Sequence, residues 1–243
     1  MPPLSPTAMI LAAGLGMRMR PLTLTRPKPL QPIGGRAMLD HALDKLVAAG
    51  IKRAVVNTFY LAEQIEEHLR ARRDIEIMIS RETELLDTGG GIAKALPYFE
   101  GLPFFSLNAD LPWLDKTVPS LERMREKWNP EIMDALLLLM RTEKARGFDA
   151  AKGDFSMDAD GRVRRKDITP PRPYVWISAQ ILKPELIALP PTKVFSNNVI
   201  WDQVEAQERL FGVEHDGTCY HVGTPDDWRI ANELLESGRG WGT

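Results

Sequence analysis

Cysteine is nearly missing from this chain: a single residue, Cys219, stands among 243. No intramolecular disulfide and no multi-cysteine metal site can form, which fits a reducing compartment, and the lone thiol is expected to be an ordinary, partly buried side chain. Long apolar runs are missing too. None approaches the roughly 20 residues that span a bilayer, and the opening "MPPLSPTA" has neither the basic segment nor the apolar core of a signal peptide. A soluble cytoplasmic protein without a membrane partner is expected. Basic charge is not in excess, with 31 Lys and Arg against 33 Asp and Glu and a formal net charge of −2. A dedicated nucleic-acid binder carries a clear basic surplus, so that class is disfavoured, whereas a local anion site is not. Internal repeats and low-complexity linkers are also absent, which favours one continuous domain over residues 1–243.

What is present is a globular composition, 44% hydrophobic and 26% charged, in a chain long enough to bury about 70–75% of its unfolded surface. Residues 8–13 form a short apolar run ending at Gly14, as a buried strand of a parallel sheet does. "RAMLDHALDKLVAAG" then sets Met38, Leu39, Ala42, Leu43, Leu46 and Val47 on one helical face, with Gly50 at the C-terminal cap. Strand and helix keep alternating through "RAVVNT", "LAEQIEEHLRA", "IEIMIS", the glycine-rich "LLDTGGGIAKALP", "PFFSLNAD", "TVPSLERMREKW" and "DALLLLM". Such units predict an α/β fold, a Rossmann-like three-layer sandwich with a mostly parallel central sheet. The rhythm breaks near Arg141, where a polar, turn-rich stretch with "DADG" as its hairpin turn predicts a small β-rich elaboration. A strand at "CYHVG" and a terminal helix from Pro225 close the chain.

The stretch "MILAAGLGMRMRPLTLTRPKPLQPIGG", Met9 to Gly35, carries the chemistry. After the strand, Gly14 and Gly16 let backbone N–H groups approach a ligand without an intervening Cβ, and Arg18 and Arg20 add charge just beyond: a phosphate cradle. As a bare spacing it is equally a structural strand-to-helix turn, being neither a Walker pattern nor a full GxGxxG. Lys28 is braced between Pro27 and Pro29, which rules out ordinary helix around it and pre-organises a point charge suited to phosphate. Asp110 ends the apolar run "FFSLNAD", at the carboxyl edge of a parallel sheet where α/β ligands bind; a helix N-cap is the alternative reading.

Together, "LAAGLGMRMRPLT", "RPKPLQPIGGRAML", "DTGGGIAKALP", "LNAD" and "VGTPDDW" resemble, in order, the motifs of the sugar-1-phosphate nucleotidylyltransferases. That family joins a nucleoside triphosphate to a sugar 1-phosphate and releases pyrophosphate. The resemblance implies the nucleotide-diphospho-sugar transferase fold, with residues 8–141 as the nucleotide-binding half, 142–224 as the sugar-binding half and 225–243 as a C-terminal helix. It implies that Leu11, Ala12, Ala13, Gly14 and Gly16 line the nucleotide together with Asn108, that Arg18 meets its outer phosphates, and that Lys28 holds the α-phosphate and the incoming sugar phosphate. Glu82, Thr88 and Gly89 then lie near the base, and Asp110 ligates Mg²⁺, the implied cofactor. In-line attack of one phosphate on another needs alignment and charge neutralisation rather than a covalent nucleophile, which agrees with these residue types.

Two positions depart from the family pattern. Ala109 replaces a glycine in "NAD", and His221 stands where many relatives carry the second metal carboxylate; a neutral imidazole is a poorer Mg²⁺ ligand, so His221 would bind a softer metal, hydrogen-bond a phosphate, or simply pack. Asp226 and Asp227 read as first-turn helix residues. On the sugar side, Asp154, Trp176, Gln180, Asn197 and Trp201 are candidates, with the two tryptophans at core-like spacing and Asp154 and Asn197 favoured. His41, His68 and His215 sit in surface patterns and are assigned no chemistry. The compact length, "LDTGGGIAKALP" and "GDF" most resemble the N-acetylmuramate α-1-phosphate uridylyltransferases, with UTP favoured over GTP or dTTP; mannose-1-phosphate guanylyltransferases and other hexose or heptose relatives share nearly everything else. A non-catalytic sugar-nucleotide-binding regulator and a cytidylyl- or molybdopterin-type transferase are the competing readings. Oligomeric state is not legible.

Overall fold

The computed structural model describes residues 2–149, 152–165, 172–187, 192–238 and 240. The chain opens with β1 (Thr7–Leu11), then β2 (Pro32–Ile33) and β3 (Arg36–Ala37) as a two-residue ladder leading into α1 (Met38–Ala48). Three repeats follow: β4 (Arg53–Thr58) and α2 (Ala62–Leu69), β5 (Glu76–Arg81) and α3 (Asp87–Ala95), β6 (Phe104–Asn108) with the short β7 (Trp113–Leu114) and α4 (Ser120–Lys127). The second half holds β8 (Ala135–Arg141), the hairpin of β9 (Ser156–Met157) and β10 (Val163–Arg164), β11 (Tyr174–Leu182), α5 (Asn197–Ala206), β12 (Leu210–Glu214), β13 (Thr218–Cys219) and α6 (Pro225–Glu236).

Seven strands form one sheet in the order β12-β8-β11-β6-β1-β4-β5. All neighbours run parallel except β11, which is antiparallel to both β6 and β8. Helices cover both faces: Leu39, Leu43, Ile65, Leu121 and Met124 of α1, α2 and α4 pack on one side, and Ile92, Ala95, Ile200 and Val204 of α3 and α5 on the other. This is the three-layer α/β sandwich expected. The "DADG" turn joins β9 to β10, and Gly50 takes a left-handed φ of 74° after α1, as a capping glycine does.

The alternative reading of the first glycine turn as strand-to-helix fails, and two local expectations are corrected. No α-helix follows the first glycine turn; only 3-10 turns at Met17–Met19, Leu22–Leu24 and Lys28–Leu30 form, because the prolines at 21, 27, 29 and 32 remove backbone donors and hold the chain off helical geometry. The strand expected at "CYHVG" is reduced to Thr218–Cys219. Cys219 is not partly but fully buried, and burial pushes its thiol up to about 12, so it is chemically quiet. Of the terminal helix expected through residue 243, positions 239 and 241–243 lie outside the described residues.

One irregularity positions the site. The register of β11 against β8 shifts between Trp176 and Gln180, with Ser178 at φ 85°. Ser178 Oγ accepts from the Asn108 N–H at 3.0 Å and donates to the Asn108 carbonyl at 2.9 Å, so the bulge ties β11 to the end of β6, one residue pair before Asp110.

Candidate active site

At the carboxyl ends of β1, β4 and β6 the sheet opens into a cleft of about 520 Å³. Leu11, Ala12, Ala13, Gly14 and Gly16 form its floor, and Arg18, Lys28, Asn108 and Asp110 stand on one side. Gly16 sits at φ 60°, and a Cβ there would lie 3.0 Å from Thr23 Cγ2 and 3.2 Å from Lys28 Cβ; glycine is what lets the loop close on Lys28. A Cβ at Gly14 would meet nothing within 4 Å, so its bareness leaves room for a ligand. With no α-helix behind the loop, positive charge comes from side chains rather than a helix N-terminus.

Lys28 is 8% exposed although charged. Its 3-10 turn is pinned by Gln31, whose Nε2 donates to the carbonyls of Leu22 at 3.0 Å and Arg26 at 2.9 Å. Lys28 Nζ donates to Asp110 Oδ2 at 2.8 Å. Burial alone pushes the Asp110 carboxyl up, but the Lys28 ammonium outweighs it, with help from a backbone N–H, and holds Asp110 below its ordinary value. His221 moves the other way: burial, then Lys28 and Arg18, lower its pKa against the pull of Asp110 and Asp227, so the ring is neutral. It packs on Phe148 with ring centroids 4.8 Å apart, and its buried Nδ1 has no partner among the described residues.

On the far side of β1, Asn57 is the penultimate residue of β4 and Glu82 follows β5; both line the cleft, with Leu85, Asp87 and Thr88 completing this wall. Asn57 Nδ2 donates to Glu82 Oε1 at 2.7 Å. The glycine run of α3 exists for close packing: a Cβ would run into the Phe195 ring at Gly89 and into the Lys193 carbonyl at Gly90, and at Gly91 it would lie 2.6 Å from Asn57 Nδ2. Gly89, expected near the base, is therefore turned toward Phe195 rather than forming cleft wall.

A floor of small residues, a lysine against a carboxylate and a separate polar end match a nucleotide, and comparison with known proteins agrees. Residues 7–166 match the Nucleotidyl transferase family. The chain belongs to that family. This nucleotidyl transferase is 43% identical over 223 residues to the N-acetylmuramate alpha-1-phosphate uridylyltransferase of Caulobacter vibrioides, covering 90% of this chain and 92% of that protein. The enzyme of the same name from Neisseria meningitidis serogroup B is 34% identical over 227 residues, 89% and 93% of the two chains. Its fold matches the crystal structure of HddC from Yersinia pseudotuberculosis with a TM-score of 0.74 at 21% identity, over 94% of this chain and 99% of that one.

The sugar-side candidates of this nucleotidyl transferase divide. Trp201 is core, as its spacing implied, while Trp176 is only partly buried against it: their rings meet edge to face at 5.0 Å, and Trp201 Nε1 donates to Gln180 Oε1 at 2.8 Å. Asn197 is bonded to the cleft wall, its backbone N–H donating to Thr88 Oγ1 at 2.8 Å, and both polar atoms of its buried side chain have no partner among the described residues. Asp154 lies at the edge of β11, its N–H bonded to the Tyr174 carbonyl at 2.8 Å, and burial raises its pKa against Arg165 and Arg172. Asp227 closes a capping box with Thr224, as a first-turn acid does, while Asp226 remains on the same helix start.

His215 is corrected: it is not a surface residue but 1% exposed, with Nδ1 on Ser120 Oγ at 2.8 Å. His41 and His68 are half-buried and bond the Ile33 carbonyl and Asp40. Asn57 was missed. Its only sequence signal is an amide at the carboxyl end of the apolar "RAVVNT". Among the described residues no helix is long and apolar enough to cross a membrane, and no group of three or more His, Cys, Asp or Glu could hold a metal.

Proposed function

We propose that the protein transfers the uridylyl group of UTP to N-acetylmuramate α-1-phosphate, giving the UDP-sugar and pyrophosphate, in the cytoplasm. The observation that carries the reaction class is the Lys28–Asp110 pair at 2.8 Å beside a loop of small residues with glycines at 14 and 16; the choice of base and sugar rests on the likeness to the two uridylyltransferases. Residues 8–141 serve the nucleotide and 142–224 the sugar, with Asp154 and Asn197 facing it.

Mg²⁺ fits this donor set: Asp110 offers carboxylate oxygen on a side chain 37% exposed, and Mg²⁺ takes one or two carboxylates, filling its shell with phosphate oxygens and water. His221, a neutral nitrogen donor, is left outside that shell. Bound there, the ion supplies neutralisation of phosphate charge. The chain does the rest. The backbone from Leu11 to Gly16 supports the nucleotide, Arg18 draws the outer phosphates, and Glu82 and Thr88 face the base. Lys28 offsets the repulsion between two phosphates as a sugar-phosphate oxygen bonds to the α-phosphorus and the bond to pyrophosphate breaks.

The test is pyrophosphate release from a panel of nucleoside triphosphates against sugar 1-phosphates with Mg²⁺. Release with UTP and N-acetylmuramate α-1-phosphate is the expected result. Turnover only with GTP and mannose 1-phosphate, or only with a non-sugar acceptor, changes the substrate; tight binding without turnover of any pair leaves a non-catalytic binding protein.

A further inference from the structure

A hydrogen-bond chain crosses one end of the cleft, and its direction calls for one amide paired with one carboxylate. The Ala12 N–H donates to Asn57 Oδ1 at 2.7 Å, Asn57 Nδ2 donates to Glu82 Oε1 at 2.7 Å, and the Leu86 N–H donates to Glu82 Oε2 at 3.1 Å. Both ends are backbone donors. The side chains between them must therefore show an acceptor at each end and meet as donor and acceptor in the middle, which an amide followed by a carboxylate does. Turning the Asn57 amide over would set Nδ2 against the Ala12 N–H and Oδ1 against the carboxylate. With Asn57 2% and Glu82 5% exposed, water cannot repair such mismatches.

The place of this chain in the sheet gives it a use. β1 lies between β6, which leads to Asp110, and β4 and β5, which carry Asn57 and lead to Glu82. Phosphates go to the side of Arg18 and Lys28, since a carboxylate at Glu82 repels them; the base is left with the Asn57–Glu82 side. Gly91 keeps the pair in place, because any side chain there would meet Asn57 Nδ2 at 2.6 Å and Glu82 Oε1 at 3.0 Å. On the functional reading above, on which this rests, we propose that Asn57 is a positioning residue for base recognition, orienting Glu82 toward the base edge and anchoring Ala12, where the nucleotide loop begins.

The test uses Asn57→Asp, Glu82→Gln and the double variant, measuring calorimetric affinity for UTP, GTP, CTP and ATP with Mg²⁺ and no sugar phosphate, beside melting temperature. Each single change leaves a buried clash and is expected to lower affinity for the preferred nucleotide by about 10-fold or more, with a lower melting temperature. In the double variant every donor again has an acceptor, because the amide introduced at position 82 would donate to the carboxylate introduced at position 57 and accept from the Leu86 N–H. Its melting temperature is expected to return toward wild type, while the ranking of the four nucleotides is not, since the carboxylate has moved from position 82 to 57. A double variant with the wild-type ranking, or folded single variants with unchanged affinities, overturns the proposal. A double variant less stable than either single overturns the polarity on which it stands. Wild-type protein that binds none of the four nucleotides overturns the functional reading instead, and the melting temperatures still judge the polarity.

Discussion

Lys28 and Asp110, 82 positions apart in the chain, meet at 2.8 Å across the mouth of the cleft. The lysine is the buried partner and the aspartate the open one, with side chains 10% and 37% exposed. On the proposed function the pair does more for charge placement than for stability: a half-open ion pair is worth at most about 1 kcal/mol, whereas an ammonium fixed beside reacting phosphates would act where charge is densest.

Lys28→Ala is expected to fold normally and to lose at least about 100-fold in kcat while nucleotide affinity falls far less, because the ammonium matters most as two phosphates approach. Steady-state kinetics beside calorimetric UTP binding checks this. Unchanged turnover removes Lys28 from the site.

Asp110→Asn keeps size and hydrogen-bonding capacity but removes the charge that draws a hard cation. Activity is expected to drop by about 100-fold or more, and Mn²⁺ binding in the presence of UTP, followed by electron paramagnetic resonance, is expected to weaken with it. A fully active Asn variant means that the metal is held elsewhere.

The sheet was legible in the sequence because its strands are short apolar runs between turn residues: "RAVVNT" is β4 to the residue. Lys28 was legible because flanking prolines mark it. The parts that escaped depend on partners far along the chain. His215 reads as a loop histidine until Ser120, 95 residues away, is packed against it. Asn57 reads as the end of a strand until the β4–β5 register, with Asn57 opposite Ser80, brings Glu82 alongside. Gly89 is placed near the base by the resemblance alone, whereas Gly89 and Gly90 are bare because the segment from Lys193 to Phe195 lies on them.

Gly14 and Gly91 separate ligand space from protein packing. Gly14→Ala has nothing within 4 Å of its new methyl, so its melting temperature is expected to match wild type while KM for UTP rises. Gly91→Ala drives a methyl to 2.6 Å from Asn57 Nδ2 and is expected to cost about 1–3 kcal/mol of stability, as overpacking does. Urea unfolding and UTP kinetics on both variants check the contrast; equal stability losses would contradict it.

His215 sets an acid limit on the fold. Burial lowers its pKa from 6.5, outweighing Asp115, the Thr218 backbone and Asp216. With the Ser120 hydroxyl donating to Asp115 at 2.5 Å, the neutral ring donates from Nδ1 to Ser120 Oγ. The unfolded chain takes up a proton near pH 6.5 and the native protein does not, so below that pH the unfolded state binds more protons and stability falls as pH falls, by up to about 1.4 kcal/mol per pH unit for each such histidine. His221 shares the direction, while Asp110 and Asp115, lowered from 3.8, titrate below this range. His215→Asn keeps a donor for Ser120 but cannot titrate. It is expected to be less stable than wild type at pH 7.5 by about 1–2 kcal/mol, from lost packing, yet to lose less on going to pH 5.5. Urea unfolding at both pH values reads the two differences, and parallel losses in wild type and variant would show that His215 protonation is not what limits the fold in acid.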